Sequence, residues 1–274
     1  YFDEKIFEIE KICVGTNTMS EKSYLKCRNY NFILQLLAHP IFRPVYKLIK
    51  KLGVSWYDFS RLVADTIQDD NFKGKLKDLY NEFCKESHSE LFDTQEEAIK
   101  YYSIPKNYKS LLNGDVGENL LAKYTSKGVL IYDDIITSIF YIIKNQLSIK
   151  HHSELNSILN SSEKWLKNLY LIDEIFGDDK NVEKNTKYQL DMEFDFPSWL
   201  SKSHLPFDQF KNHSIYEMNY DIKKINHLRD EIRFSRDQSD NERSANRLWM
   251  SLSNGSEIIE KNFSKINLKA ENLS

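Results

Sequence analysis

The sequence predicts a mainly α fold: a helical bundle-like domain, preceded by one strand and followed by a small two-stranded antiparallel α+β piece. Three observations carry this reading. Gly and Pro are scarce, at 8 and 5 of 274 residues, so long regular elements with short connections are expected. Apolar residues recur at helical spacing from Tyr24 to Phe176. Beyond the polar run Asp178 to Lys187 the texture changes to alternation of apolar and polar residues.

Phe7, Ile9 and Cys13, or Ile12 and Val14 in the other phase, make a short β-compatible run that ends at Gly15-Thr16-Asn17. Thr18-Met19-Ser20-Glu21 has the form of a capping box and predicts a helix start. That helix carries Tyr24, Cys27, Tyr30 or Asn31, Leu34 and Leu37 on one face and stops before Pro40. A second helix follows Pro44 up to Gly53, a C′ glycine. Ser55-Trp56-Tyr57-Asp58 opens a third, through Ala64 and Ile67. The next presents Leu76, Leu79, Tyr80 and Phe83 together. Thr94-Gln95-Glu96-Glu97 is a second capping box, and Pro105 starts a short helix that ends near Asn113-Gly114.

Val116 to Tyr124 and Val129 to Leu147 supply two more helices, the second rich enough in Ile and Phe to be central. Ser153 to Phe176 reads as one long amphipathic helix closed by Gly177. Tyr188, Leu190, Met192, Phe194 and Phe196 then alternate with polar residues as a half-solvated strand ending at Pro197. Ile215 to Tyr220 is its candidate partner. Asp221 caps a helix through Leu228 and Ile232, and Asn241 another carrying Ala245, Leu248 and Met250. The expected units are therefore a strand-containing leading segment over 1–19, a helical domain over 20–177, a small α+β piece over 178–254 and a flexible tail over 255–274.

Composition excludes more than it assigns. Lys+Arg 38 against Asp+Glu 41 gives a formal charge of -3, too balanced to draw in nucleic acid or an anionic membrane. The basic residues between Lys223 and Arg247, Arg229, Arg233, Arg236 and Arg243 among them, are interleaved with acids and read as local ion pairs. The apolar stretch Val129 to Ile143 is broken by Asp133 and Asp134 and is too short to span a bilayer. Cys13, Cys27 and Cys84 are odd in number and widely spaced, which suits reduced thiols and a cytoplasmic protein.

Metal and catalytic patterns fare no better. His151-His152 are adjacent and diverge on a helix, so they read as an exposed helix start. Asp69-Asp70 and Asp133-Asp134 lack a third ligand at helical spacing and read as solvated faces. Cys27 and Cys84 fall on apolar stripes and are expected to pack as small hydrophobes. Trp56, Trp165, Trp199 and Trp249 show no basic-aromatic stacking pattern and are assigned to packing. No glycine-rich phosphate loop, Gly-x-Ser-x-Gly or His-Glu-x-x-His pattern occurs.

Chemistry enters through a family resemblance. The run Ile9-Glu-Lys-Ile-Cys-Val-Gly-Thr-Asn-Thr-Met-Ser-Glu-Lys-Ser-Tyr24, followed by a helix and by Leu52-Gly-Val-Ser-Trp-Tyr-Asp-Phe59, resembles the region after the barrel in cobalamin-binding-domain radical SAM proteins. Ile104-Pro-Lys-Asn-Tyr-Lys-Ser-Leu-Leu-Asn-Gly114, Gly117-Glu-Asn-Leu-Leu121, Asp195-Phe-Pro-Ser-Trp-Leu200 and Asn246-Arg-Leu-Trp-Met-Ser-Leu252 match in pattern and order. In that family a cobalamin domain precedes a partial barrel whose Cys-x-x-x-Cys-x-x-Cys triplet holds an iron-sulfur cluster that cleaves S-adenosylmethionine. This chain has no such triplet, so the resemblance implies those cofactors for the full-length protein and none bound by this region.

The resemblance implies that Phe7 to Val14 is a late barrel strand and that Thr16, Asn17 and Thr18 stand near its rim. With Arg28, these are the candidate substrate-lining residues. The chain starts without Met in mid-pattern and reads as the back half of something larger. Its expected role is to cap the catalytic barrel of a cobalamin-dependent enzyme, possible methyltransferases included, and to shape access for a small-molecule substrate. The expected partners are the cobalamin and barrel domains of the same polypeptide, with neither nucleic acid nor membrane. The region alone should be inert. The rival expectation is a stand-alone helical protein-interaction domain with a closed surface.

Overall fold

The computed structural model describes residues 8–117, 119–147, 152–176, 186–234 and 263–266. The chain is mostly helical with one small antiparallel sheet, as its composition and periodicity predict. Helices α1 (Glu21–Ala38), α2 (Arg43–Lys51), α3 (Trp56–Gln68) and α4 (Lys75–Ser89) are followed by a short pair, α5 (Gln95–Ser103) and α6 (Pro105–Leu112). Then come α7 (Leu120–Leu130), α8 (Tyr132–Gln146), α9 (His152–Lys167) and α10 (Ile172–Phe176). Strand β1 (Lys187–Met192), α11 (Phe196–Ser201), β2 (Ser214–Asn219), α12 (Ile222–Phe234) and β3 (Phe263–Ile266) complete the order.

Local signals explain most boundaries. The hydroxyls of Ser55 and Thr94 accept the Asp58 and Glu97 amides at 3.0 and 3.1 Å, each satisfying an orphan donor of the first turn. Gly53, at φ 77°, ends α2 in the left-handed conformation that a Cβ would strain. Lys77 donates from its buried ammonium to the carbonyls of Ile67, Gln68 and Asp69, at 2.6, 3.3 and 3.3 Å. It thereby caps the negative end of α3 from the neighbouring helix.

Helix α8 is central. Tyr132, Ile135, Ile136, Ile139, Phe140, Ile142 and Ile143 are all buried, the Ile and Phe side chains each contributing about 1.5–3 kcal/mol relative to exposure. It packs on α3, α4, α7 and α9, while α1 crosses α3, α4 and α7. Phe32 of α1 stacks on Phe83 of α4 at 4.4 Å, with the Tyr124 ring of α7 set edgewise against both. A Cβ at Gly128 would lie 2.7 Å from the Leu36 side chain, so this glycine permits the close approach of α7 to α1.

One contiguous apolar core runs from Phe32 to Ile225. The sheet joins it through α9. Strands β1, β2 and β3 pair antiparallel in that order, with Leu190 opposite Tyr216 and Glu217 opposite Ser264. Trp165 of α9 lies edge-on to Phe263 at 4.6 Å and to Tyr216 at 5.4 Å. Trp165 and Trp199 are fully buried and Trp56 is partly buried against the core, as packing residues; Trp249 lies outside the described residues.

Several expectations are corrected. Residues 8–14 form no strand, because β-compatible side chains make one only when a neighbour supplies the ladder, and none of the described strands does. Helix α1 starts at Glu21, with Ser20 as its cap. The Thr16 hydroxyl instead gathers the amides of Thr18 and Met19 into a preceding turn. Phe32, Ile33, Leu36 and Leu37 form the buried face of α1, leaving Cys27 exposed. Helices α7 and α8 divide at Ile131 rather than between Tyr124 and Val129, since Gly117 at φ 79° delays the start of α7 to its Asn119 cap.

The long helix expected over Ser153 to Phe176 breaks after Lys167. There the Asn168 carbonyl accepts from the Tyr220 and Tyr188 hydroxyls, at 2.6 and 3.1 Å. Gly177 and 178–185 lie outside the described residues. Strand β1 stops at Met192, because Asp195 caps α11 by accepting the Ser198 amide at 3.2 Å and draws Phe194 and Phe196 out of the alternation. The sheet has three strands: Phe263–Ile266, in the segment expected to be a flexible tail, pairs with β2. The helix expected after Asn241 lies outside the described residues, as does His151, while His152 opens α9. Among the described residues no helix is long and apolar enough to cross a membrane.

Candidate functional site

Helix α4 presents Glu82 and Glu86 four residues apart, and Glu90, its C-cap, continues the row, so all three fall on one side. Helix α7 runs past it with Lys127 and Lys123 at the same spacing. Lys127 meets Glu82 at 3.3 Å and Lys123 meets Glu86 at 2.8 Å. This antiparallel ladder goes from surface to interior: the Glu82 side chain is 58 % exposed, whereas Glu86 and Lys123 keep 14 and 10 %. The third rung differs. Glu90 faces no lysine but the Gly117 amide, which donates to its Oε1 at 3.1 Å, and the Arg28 guanidinium of α1, at 3.8 Å from Oε2.

Glu86 is fully engaged. Its second oxygen accepts from the Tyr124 hydroxyl at 2.6 Å, and Lys123 also donates to the Asp115 carbonyl at 2.8 Å. Tyr124 thus places its ring in the core and its hydroxyl on the carboxylate, with the Lys127 ammonium 4.8 Å from the ring centre. Glu90 is held less well. Burial raises its carboxyl above the ordinary carboxylate value, and the charge of Glu86 adds to this. The Gly117 amide, Arg28 and Lys123 offset only part of the rise. Tyr102 of α5 is raised too, by burial first and by the nearby Glu90 charge second.

A second polar node lies at the sheet. Asp195 is buried, and its Oδ1 accepts from Tyr216 at 2.8 Å and from the Ser198 amide, while Oδ2 binds the Lys265 ammonium of β3. Burial pushes this carboxyl up, but the hydrogen bonds from Lys265, Tyr216 and Ser198 outweigh it and leave Asp195 below the ordinary range. Tyr216 is raised, chiefly by burial. A phenol held neutral and an aspartate held ionised form a fastening that links β2, β3 and α11.

The substrate-lining candidates separate into two places. Thr16, Asn17 and Thr18 share one exposed turn, with the Thr16 and Thr18 hydroxyls 3.3 Å apart. Arg28 lies on α1, about 12 Å along the axis from Ser20, and belongs to the Glu90 cluster. Glu86, Glu90, Lys123 and Tyr124 were not singled out from the sequence. Their signal was the matched four-residue spacing of Glu82, Glu86 and Glu90 with Lys123 and Lys127.

The thiols do not fit an iron-sulfur cluster. Cys13 is exposed in the leading segment and Cys27 is exposed on α1. Cys84 packs partly buried against the core, where burial raises its thiol above the ordinary value. Among the described residues no three His, Cys, Asp or Glu side chains stand close enough to hold a metal ion. Asp69 accepts the Asn71 amide at 2.8 Å and Asp134 pairs with Lys75 at 2.8 Å, as solvated carboxylates do. Comparison with models of protein families, with curated proteins and with solved structures gives no match.

Proposed function

We propose that this chain is the C-terminal helical region of a cytoplasmic, cobalamin-dependent radical SAM enzyme, where it caps the catalytic barrel and shapes access for a small-molecule substrate. The iron-sulfur cluster, S-adenosylmethionine and cobalamin belong in this reading to the barrel and cobalamin domains of the same polypeptide. Beside the sequence resemblance, one structural observation supports it. Residues 8–14 carry a β-compatible pattern with no ladder partner among the described strands, and Ile12 stands 44 % exposed. A neighbouring barrel strand would supply what that segment lacks.

The test is anaerobic reconstitution with iron and sulfide of a polypeptide extended upstream of Tyr1. The visible absorbance of a cluster is expected in the extended protein and absent from residues 1–274. An extended protein without a cysteine triplet or cluster absorbance overturns the reading. Thr16, Asn17, Thr18 and Arg28 are tested by alanine replacement in the same extended protein, where unchanged turnover removes them from the substrate path.

The rival, a stand-alone helical interaction domain, draws support from a different observation, one that departs from the closed surface expected of it. Ile99, Tyr101, Ile104 and Leu112, all on α5 and α6 or the residue between them, are 43 to 68 % exposed. Size-exclusion chromatography separates the two readings. A barrel cap expressed alone associates through its uncovered leading segment, and a self-sufficient domain elutes as a monomer.

A further inference from the structure

Helices α5 and α6 are packed chiefly on each other. Of all their side chains only Ala98 is buried, and α6 buries none, against seven in α8. Each end of the pair has a structural terminus of its own. On the way in, Phe92 closes on Tyr101 and Tyr102 at 5.4 and 5.9 Å, so the chain from Phe92 onward belongs to the pair. On the way out, the Gly114 amide bonds to Leu111 and the Asp115 amide to Ser110, at 3.2 and 2.9 Å, a C-terminal turn that belongs to α6. Two joints remain, one between Glu90 and Phe92, the other at Gly117, whose φ of 79° is a backbone freedom that few other residues share.

Those two joints are tied to each other. The Glu90 carboxylate sits at the first and accepts the backbone amide of the second at 3.1 Å, across 27 positions of sequence. Around this tie, Arg28 holds the carboxylate from α1, and Lys123 reaches from α7 to the Asp115 carbonyl. We propose that α5–α6 is a hinged arm and that Glu90 is the clasp closing its base. Its movement carries Ile99, Tyr101, Ile104 and Leu112 with it, so the clasp governs where the apolar face is presented. The inference concerns motion within the chain and holds for either reading of its function.

Hydrogen exchange of the whole chain tests it. In Glu90→Ala the amides of Gln95–Leu112 are expected to exchange on the order of tenfold faster, the worth of one hydrogen bond to a charged group, while α8 amides keep their wild-type rates. Glu90→Gln retains an acceptor for the Gly117 amide and sheds the charge that burial and Glu86 oppose, so its arm should exchange no faster than wild type. Arm rates equal to wild type in Glu90→Ala overturn the clasp, as does equal acceleration throughout α8. Should Glu90→Ala not fold, limited proteolysis of the wild-type chain decides. Among the described residues, a first cut within 91–116 supports the arm, and a first cut anywhere else overturns it.

Discussion

Asp195 and Glu90 are both carboxylates withdrawn from water, yet their surroundings drive them in opposite directions. Asp195 receives two side-chain donors and one backbone amide, and it ends below the ordinary carboxylate value. Glu90 receives one amide and a guanidinium at 3.8 Å, lies close to the Glu86 charge, and ends above it. Burial opposes the charge in both, and the number and nearness of donors decide the sign. The difference maps onto the architecture. Where a strand must be fixed to the core, the carboxylate is saturated, and where an arm meets the body through two joints, it is not.

The strongest way to break this contrast is Asp195→Ala. It leaves the Tyr216 hydroxyl and the Ser198 amide without their acceptor and removes the cap of α11. Breaking a buried pair costs about 3–5 kcal/mol, and because the Lys265 side chain is already 37 % exposed, the lower end applies, about 3 kcal/mol. Urea unfolding should show that loss, with faster exchange in β3. A loss below about 1 kcal/mol would make the node dispensable, an exposed salt bridge in all but position.

Gly117→Ala probes the other site. A Cβ there would lie 2.6 Å from the Leu111 side chain, and the backbone would have to keep a positive φ. A cost of about 1–2 kcal/mol is expected from that strain. Gly117→Asn, which tolerates the left-handed region better, should lose less. Equal losses for the two would show that side-chain crowding rather than φ sets the cost.

How much of this was legible in the sequence depended on range. Ser55, Thr94, Asp221, Gly53 and the buried face of α8 act within a turn or two, and each could be read from its neighbours. The break in α9 could not, because it is held by hydroxyls of Tyr188 and Tyr220, which arrive from β1 and from just beyond β2. Thr18 failed as a cap because the Thr16 hydroxyl, two residues earlier, claimed its amide and the next. Strand β3 has only four residues and its pairing to β2 spans 45 to 51 positions, from Met218 opposite Phe263 to Ile215 opposite Ile266, beyond any local pattern. For the polar cluster, Arg28 was singled out on the strength of resemblance. Its partner Glu90 lies on another helix, and the Gly117 amide that completes the contact belongs to the backbone, which sequence patterns do not advertise.

Proton linkage sharpens the comparison in pH. A lowered carboxyl such as Asp195 contributes stability above its ordinary value of 3.8, and that contribution is lost as pH falls through the lower folded value. The deficit of Asp195→Ala relative to wild type should therefore shrink only in strongly acidic solution, below pH 3.8. Glu90 behaves oppositely. Between its ordinary value of 4.5 and its raised folded value the native state holds more protons than the unfolded chain, so stability declines as pH rises through that window.

Glu90→Gln, the smallest effect, follows from that sign. The amide keeps an acceptor for Gly117, loses the attraction of Arg28, and no longer carries the charge that burial and Glu86 oppose. Below pH 4.5 both forms are neutral and should have nearly equal stability. As pH climbs above the window, the variant should become the more stable by about 0.5–1 kcal/mol, the scale of one modest polar contact. Denaturation midpoints across that pH range check it. If the variant is instead less stable at neutral pH, then Arg28 and the Gly117 amide compensate Glu90 fully, and the two carboxylates differ in location but not in kind.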